Sequence, residues 1–113
     1  MISIPYEIGS TEPGDITGSS LKGHLRGLSY KDLERIFGEP TYNHEIHGEG
    51  DGKVRYEWDF KLNNDIITIY DWKEVVPRDD IKEWNIGGFS NSIITALEDF
   101  LSYLISDCEV TYA

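Results

Sequence analysis

Val54-Arg55-Tyr56-Glu57-Trp58-Asp59-Phe60-Lys61 alternates apolar and charged side chains along its whole length, and its reading decides the fold. A β-strand sends successive side chains to opposite faces, so Val54, Tyr56, Trp58 and Phe60 line one face and Arg55, Glu57, Asp59 and Lys61 the other. Leu62-Asn63-Asn64-Asp65 follows, and asparagine tolerates the positive φ that a tight hairpin turn demands. Residues 66–73 then supply a second, antiparallel strand, with Ile67 and Ile69 on one side and Tyr70 and Trp72 sharing the other.

Working outward, residues 81–89 predict a third strand, with Trp84 and Ile86 inward before Gly87 and Gly88 break the pattern. Residues 21–28 alternate as well, with Leu21, Gly23, Leu25 and Gly27 opposite Lys22, His24, Arg26 and Leu28. Ser29 followed three residues later by Asp32 forms a helix start, and Tyr30, Leu33, Ile36 and Phe37 recur at helical spacing. Gly38 and Pro40 stop that helix after about residue 37. Ser90 or Asn91 caps a second helix, whose apolar stripe is Ile93, Ile94, Leu97, Phe100, Leu101, Leu104 and Ile105. The stretch before residue 20 predicts a loose lead-in, or an edge strand from 2 to 8 followed by loop. The resulting expectation is a single α+β domain over 1–113, with three to five antiparallel strands and two helices on one face.

Charge narrows the range of partners. The chain of 113 residues carries 21 acidic and 10 basic side chains, a net charge of −11, and every Lys and Arg lies between Lys22 and Lys82. Nucleic acids and anionic membranes are repelled by such a chain, whereas a basic protein surface attracts it. Cys108 is the one cysteine, so no internal disulfide forms and a cytoplasmic location is expected. No run of about 18 apolar residues reads as a membrane span.

Chemistry-bearing motifs are sparse. His44, Glu45, His47, Glu49 and Asp51 crowd into one loop, but their spacing is not that of a helix-borne zinc site, and the reading is a polar loop without metal or cofactor. Gly48, Gly50, Gly52 and Lys53 lack the spacing of a phosphate loop, and Glu49 and Asp51 would repel phosphate. Cys108 lies between Asp107 and Glu109, whose charges oppose thiolate formation, and it reads as a packing residue. No catalytic set stands out, and the chain reads as a binding protein rather than an enzyme.

Tyr70, Trp72 and Trp84 suggest an aromatic surface, should the second face of the sheet be uncovered. The acidic candidates for partner contact are Asp79, Asp80 and Glu83 around one loop, and Glu98 and Asp99 on the last helix, which carries no Lys or Arg. Two further readings stand beside this one. The aromatics could stack on a nucleotide signal if Lys22, Arg26, Arg55 and Arg78 cluster, or an edge strand could mediate self-association in an accessory protein.

The ordered set Gly18-Ser19-Ser20-Leu21-Lys22-Gly23, Phe37-Gly38-Glu39-Pro40-Thr41, Trp58, Thr68-Ile69-Tyr70-Asp71-Trp72-Lys73 and Trp84-Asn85-Ile86-Gly87-Gly88 resembles a group of small proteins encoded by phages and other mobile elements. The resemblance spans about residues 18–105 and brings no activity or catalytic residue with it. What it implies is context, a bacterial host cytoplasm; with the net charge of −11 it leads to the expectation of an inhibitor that binds a host defence protein, such as a CRISPR effector, and imitates nucleic acid with carboxylates.

Overall fold

The computed structural model describes residues 5–12, 14–48, 50 and 52–113. Among these residues seven strands, all antiparallel to their neighbours, form one sheet: β1 (Ile8–Ser10), β2 (Ser20–Arg26), β3 (Tyr42–Asn43), β4 (Tyr56–Leu62), β5 (Asp65–Tyr70), β6 (Glu83–Gly88) and β7 (Glu109–Tyr112). Their order is β1-β4-β5-β6-β2-β7, with β3 also paired to β4. Three α-helices accompany them, α1 (Tyr30–Phe37), α2 (His44–His47) and α3 (Ser92–Ser102), with a 3-10 turn at Arg78–Asp80. The class is α+β as expected, but the strand count exceeds three to five and α2 makes a third helix.

The extra elements are short or lack a repeat long enough to read. β3 spans two residues and α2 four, and β7 has only Val110 buried. The opening segment does supply an edge strand, but not over 2–8: residues 5–7 are not in a strand, and β1 begins at Ile8 and runs on where loop was expected, pairing with β4 from Ile8 opposite Leu62 to Ser10 opposite Phe60. Residues 1–4, where that strand was expected to start, lie outside the described residues.

One face of the sheet forms the core. Tyr56, Trp58, Phe60 and Leu62 of β4, Ile67 and Ile69 of β5, Trp84 and Ile86 of β6 and Leu25 of β2 all point to it and are buried. α1 covers β4 through Tyr30, whose ring lies 5.0 Å from that of Tyr56 and 5.3 Å from Trp58. Phe37 stacks on Phe60 at 4.3 Å and reaches Phe100 of α3 at 6.1 Å, which joins the two helices. The start of α1 is a complete capping box: Asp32 N–H donates to Ser29 Oγ and Ser29 N–H to Asp32 Oδ2.

α3 carries the chain from β6 to β7 across β2. Its apolar stripe buries Ile93, Ile94, Leu97, Phe100 and Leu101, but the helix ends at Ser102, and Leu104, expected in the stripe, is exposed. In β2, Leu21 pairs with Gly87 and Gly23 with Ile86, so Lys22 is an extra bulged residue. The bulge overturns the uniform alternation expected over 21–28, because it turns Leu21 away from the core face that Gly23 and Leu25 keep. No helix among the described residues is long and apolar enough to cross a membrane.

Candidate functional site

The face of the sheet opposite the helices carries polar side chains in register. One row runs across five strands as Glu57, Tyr70, Asn85, His24 and Thr111. The next holds Asp59, Thr68, Gly87 and Leu21. β1 and β2 sit at different positions in the sheet, and described residues of the connection between them lie against this face near β4. There Asp15 Oδ2 lies 3.8 Å from Lys61 Nζ, and Thr11, Glu12, Gly14 and Ile16 line a pocket with Asp59, while Thr68 is buried and Glu57, Tyr70, Asn85, His24 and Thr111 are half-buried.

Glu57 and Asp59 stand two apart on β4, so alternation puts both on this polar face. Both are half-buried. Burial, a hydrogen bond to Asp59 and the charges of Asp59 and Asp71 push the Glu57 carboxyl up to about 8, and burial also raises Asp59. Asp59 Oδ1 is buried and meets no donor among the described residues. A hydrogen bond between the two carboxyl groups therefore needs a proton on one of them, and Glu57 holds it at neutral pH.

Beside this pair the row continues as a hydrogen-bonded chain. Asn85 bonds to Tyr70, and its Oδ1 lies 3.1 Å from His24 Nδ1. Glu83 Oε1 is 3.6 Å from the same imidazole nitrogen and Oε2 is 3.2 Å from Arg26 Nε, while Arg26 also reaches Glu109 at 3.7 Å.

The sequence-derived acidic contacts do not come together. Asp79 and Asp80 are exposed on the 3-10 turn, with Asp79 paired to Arg78 at 3.3 Å. Glu83 is engaged by Arg26 on the sheet, and Asp99 accepts from Tyr6 Oη at 2.6 Å. Glu98, one residue away, acts instead on Cys108, whose thiol is pushed up by burial and by the charges of Glu98 and Asp107. Three separate elements thus hold the five carboxylates.

The aromatic expectation divides. Tyr70 is half-buried on the polar face, and Trp72 is 45% exposed, its ring 6.4 Å from Tyr70 with Lys53 and Lys73 ammonium groups at 5.8 and 5.7 Å. Trp84 is fully buried, so it belongs to the core and not to a surface; even its indole N–H is satisfied internally, by Leu28 O at 2.9 Å. Arg26, Arg55 and Arg78 are each held in an ion pair, with Glu83, Asp71 and Asp79 respectively.

The histidine loop folds into α2. Tyr56 Oη donates to Glu45 Oε1 at 3.0 Å, and Asn43 N–H donates to His47 Nδ1 at 3.1 Å. Among the described residues no group of three His, Cys, Asp or Glu side chains is placed to hold a metal ion; Glu49 and Asp51 lie outside them. Asn43, His47, Ile46 and Arg78 line one wall of a groove of about 430 Å³ against the end of α1.

Sequence reasoning passed over Glu57 and Asp59 because strand alternation reads them as a solvated face. The signal was their i, i+2 spacing on the strand of highest alternation, which guarantees proximity. No protein-family model matches the chain, and no curated protein or solved structure matches it either.

Proposed function

We propose that this chain is a binding protein that docks the polar face of its sheet onto a basic protein surface. The observation that carries the reading is the half-buried Glu57–Asp59 pair on that face, in a chain of net charge −11. Two carboxyl groups forced together gain from a cation brought by a partner, which releases the shared proton and replaces it with a charge-assisted contact. A flat, hydrogen-bonded polar row suits a macromolecular partner better than an enclosed small-molecule site.

The ordered motifs favour a phage or mobile-element origin, and with it a bacterial nucleic-acid-handling defence protein as the partner. Carboxylates would then stand where that protein expects phosphates. Asp79 and Asp80, exposed beside the sheet end, remain part of the proposed contact, and steering by the whole charge makes association fast and salt-sensitive.

Affinity capture from bacterial lysates carrying defence systems, washed at low and high salt, tests this. Recovery of a basic nucleic-acid-handling protein, lost at high salt and lost on Glu57→Lys with Asp59→Lys, supports the reading. Capture that survives those reversals removes the sheet face from the interface, and capture that survives Asp79→Lys with Asp80→Lys removes the turn.

A further inference from the structure

We infer that the groove between the C-terminal end of α1, α2 and the 3-10 turn is a binding site for a small zwitterion, a molecule bearing one carboxylate and one ammonium group. The inference does not rest on the sheet-face reading, whose Glu57 and Asp59 lie outside the groove; the two share only the 3-10 turn, through Arg78 and its partner Asp79. The groove, of about 430 Å³, falls within the range of small-molecule sites.

Three donors serve it. Arg78 places its guanidinium over the Tyr30 ring at 4.3 Å, and its ion pair with Asp79 uses Nε. His47 accepts the Asn43 N–H at Nδ1, so the neutral ring carries its proton on Nε2 and offers it as a donor. Asn43 is only 8% exposed; its Oδ1 accepts from Glu45 N–H at 2.9 Å, while its amide nitrogen meets no acceptor among the described residues. A ligand oxygen that reaches this amide would give it an acceptor.

Acceptors stand on the same groove, where Glu34 and Glu39 are exposed at the end of α1 and just beyond it. A simple anion would meet these two carboxylates as well as Glu45 and Asp79, and a simple cation would meet Arg78. Only a ligand with both charges is matched, its carboxylate toward Arg78 and Asn43 and its ammonium toward the glutamates. Ile46, 73% exposed on α2, and Pro40 add an apolar wall, which fits a branched aliphatic side chain on the ligand.

The test is an amide NMR titration of the full chain with L-leucine, N-acetyl-L-leucine and L-leucinamide. L-leucine should give saturable shifts at residues 43, 46 and 47, and each blocked probe should bind at least about tenfold more weakly. Glu39→Gln, at an exposed rim position that leaves the fold intact, should bring L-leucine to the weaker level. Arg78→Gln should do the same, checked by unchanged shifts in the sheet. Absence of saturable shifts at these residues overturns the site. Equal binding of N-acetyl-L-leucine, or no effect of Glu39→Gln, overturns its zwitterion selectivity.

Discussion

Trp58 and Trp84 meet edge to face in the centre of the core, with ring centroids 5.4 Å apart, and their indole N–H groups hold the two ends of α1. Trp84 Nε1 donates to Leu28 O just before the helix and Trp58 Nε1 to Gly38 O just after it, each at 2.9 Å. The tryptophans thus fix where α1 lies on the sheet, and with it one wall of the zwitterion groove. Substitution to Phe keeps an aromatic ring and removes the donor. Leu28 is buried and Gly38 exposed, so only the first carbonyl is left without water. Trp84→Phe should cost about 2–3 kcal/mol and Trp58→Phe clearly less, read from urea midpoints. Equal costs would mean that ring volume alone decides.

Asp71 is a charged side chain with no exposed surface, and it is anchored by three donors. Its Oδ1 accepts Arg55 N–H at 2.8 Å and Tyr56 N–H at 3.0 Å, and its Oδ2 accepts Arg55 Nε–H at 3.1 Å. Asp71 therefore joins the end of β5 to the start of β4. Asp71→Ala orphans two backbone amides and a guanidinium whose Nη2 is already buried without a partner among the described residues, and should cost about 3–5 kcal/mol. Asp71→Asn, which retains an acceptor for the amides, should recover part of that loss in thermal unfolding.

Two glycines let α3 approach the sheet. A methyl on Gly88 would collide with Ile93 Cδ1 and sit tightly, at 3.1 Å, against the Ile66 carbonyl oxygen, whereas one on Gly23 would collide with both Ile94 Cδ1 and the Thr111 carbonyl oxygen. A side-chain tip can rotate away but a paired strand carbonyl cannot. Gly88→Ala should cost about 1–3 kcal/mol, reduced when Ile93→Val is added, whereas Gly23→Ala should cost more and should not be rescued by Ile94→Val. Thermal unfolding of the four variants separates these outcomes.

These contacts explain which parts of the fold the sequence made legible. β4, β5 and α1 announced themselves because local rules fix them: strict alternation, Asn63 at φ 57° in the turn, and a capping box whose two bonds both form. β7 has four residues with one buried side chain, so nothing local distinguishes it from loop until β2 offers an edge. The same limit hid the site. Burial of Glu57 and Asp59 arises from neighbouring strands and the connection between β1 and β2, and Asn43, His47 and Arg78 meet only because β3 pairs with β4.

The carboxyl pair makes stability depend on pH in a direction opposite to that of most acidic groups. Glu57 titrates near 8 in the folded chain and near the ordinary 4.5 when unfolded, so between these values the folded state binds the extra proton. The stability it contributes is fully present below the unfolded value and is lost as pH rises through the folded one. Asp59, also raised by burial, acts in the same sense. The thermal midpoint should therefore fall by at least about 5 °C between about pH 5 and about pH 9. Glu57→Gln keeps a donor for Asp59 at every pH and should flatten that slope, with the largest gain at the alkaline end. A slope unchanged by Glu57→Gln would show that Glu57 ionises in the folded chain as it does in the unfolded one, and the sheet face would then lose the cation-seeking pair on which the proposed docking rests.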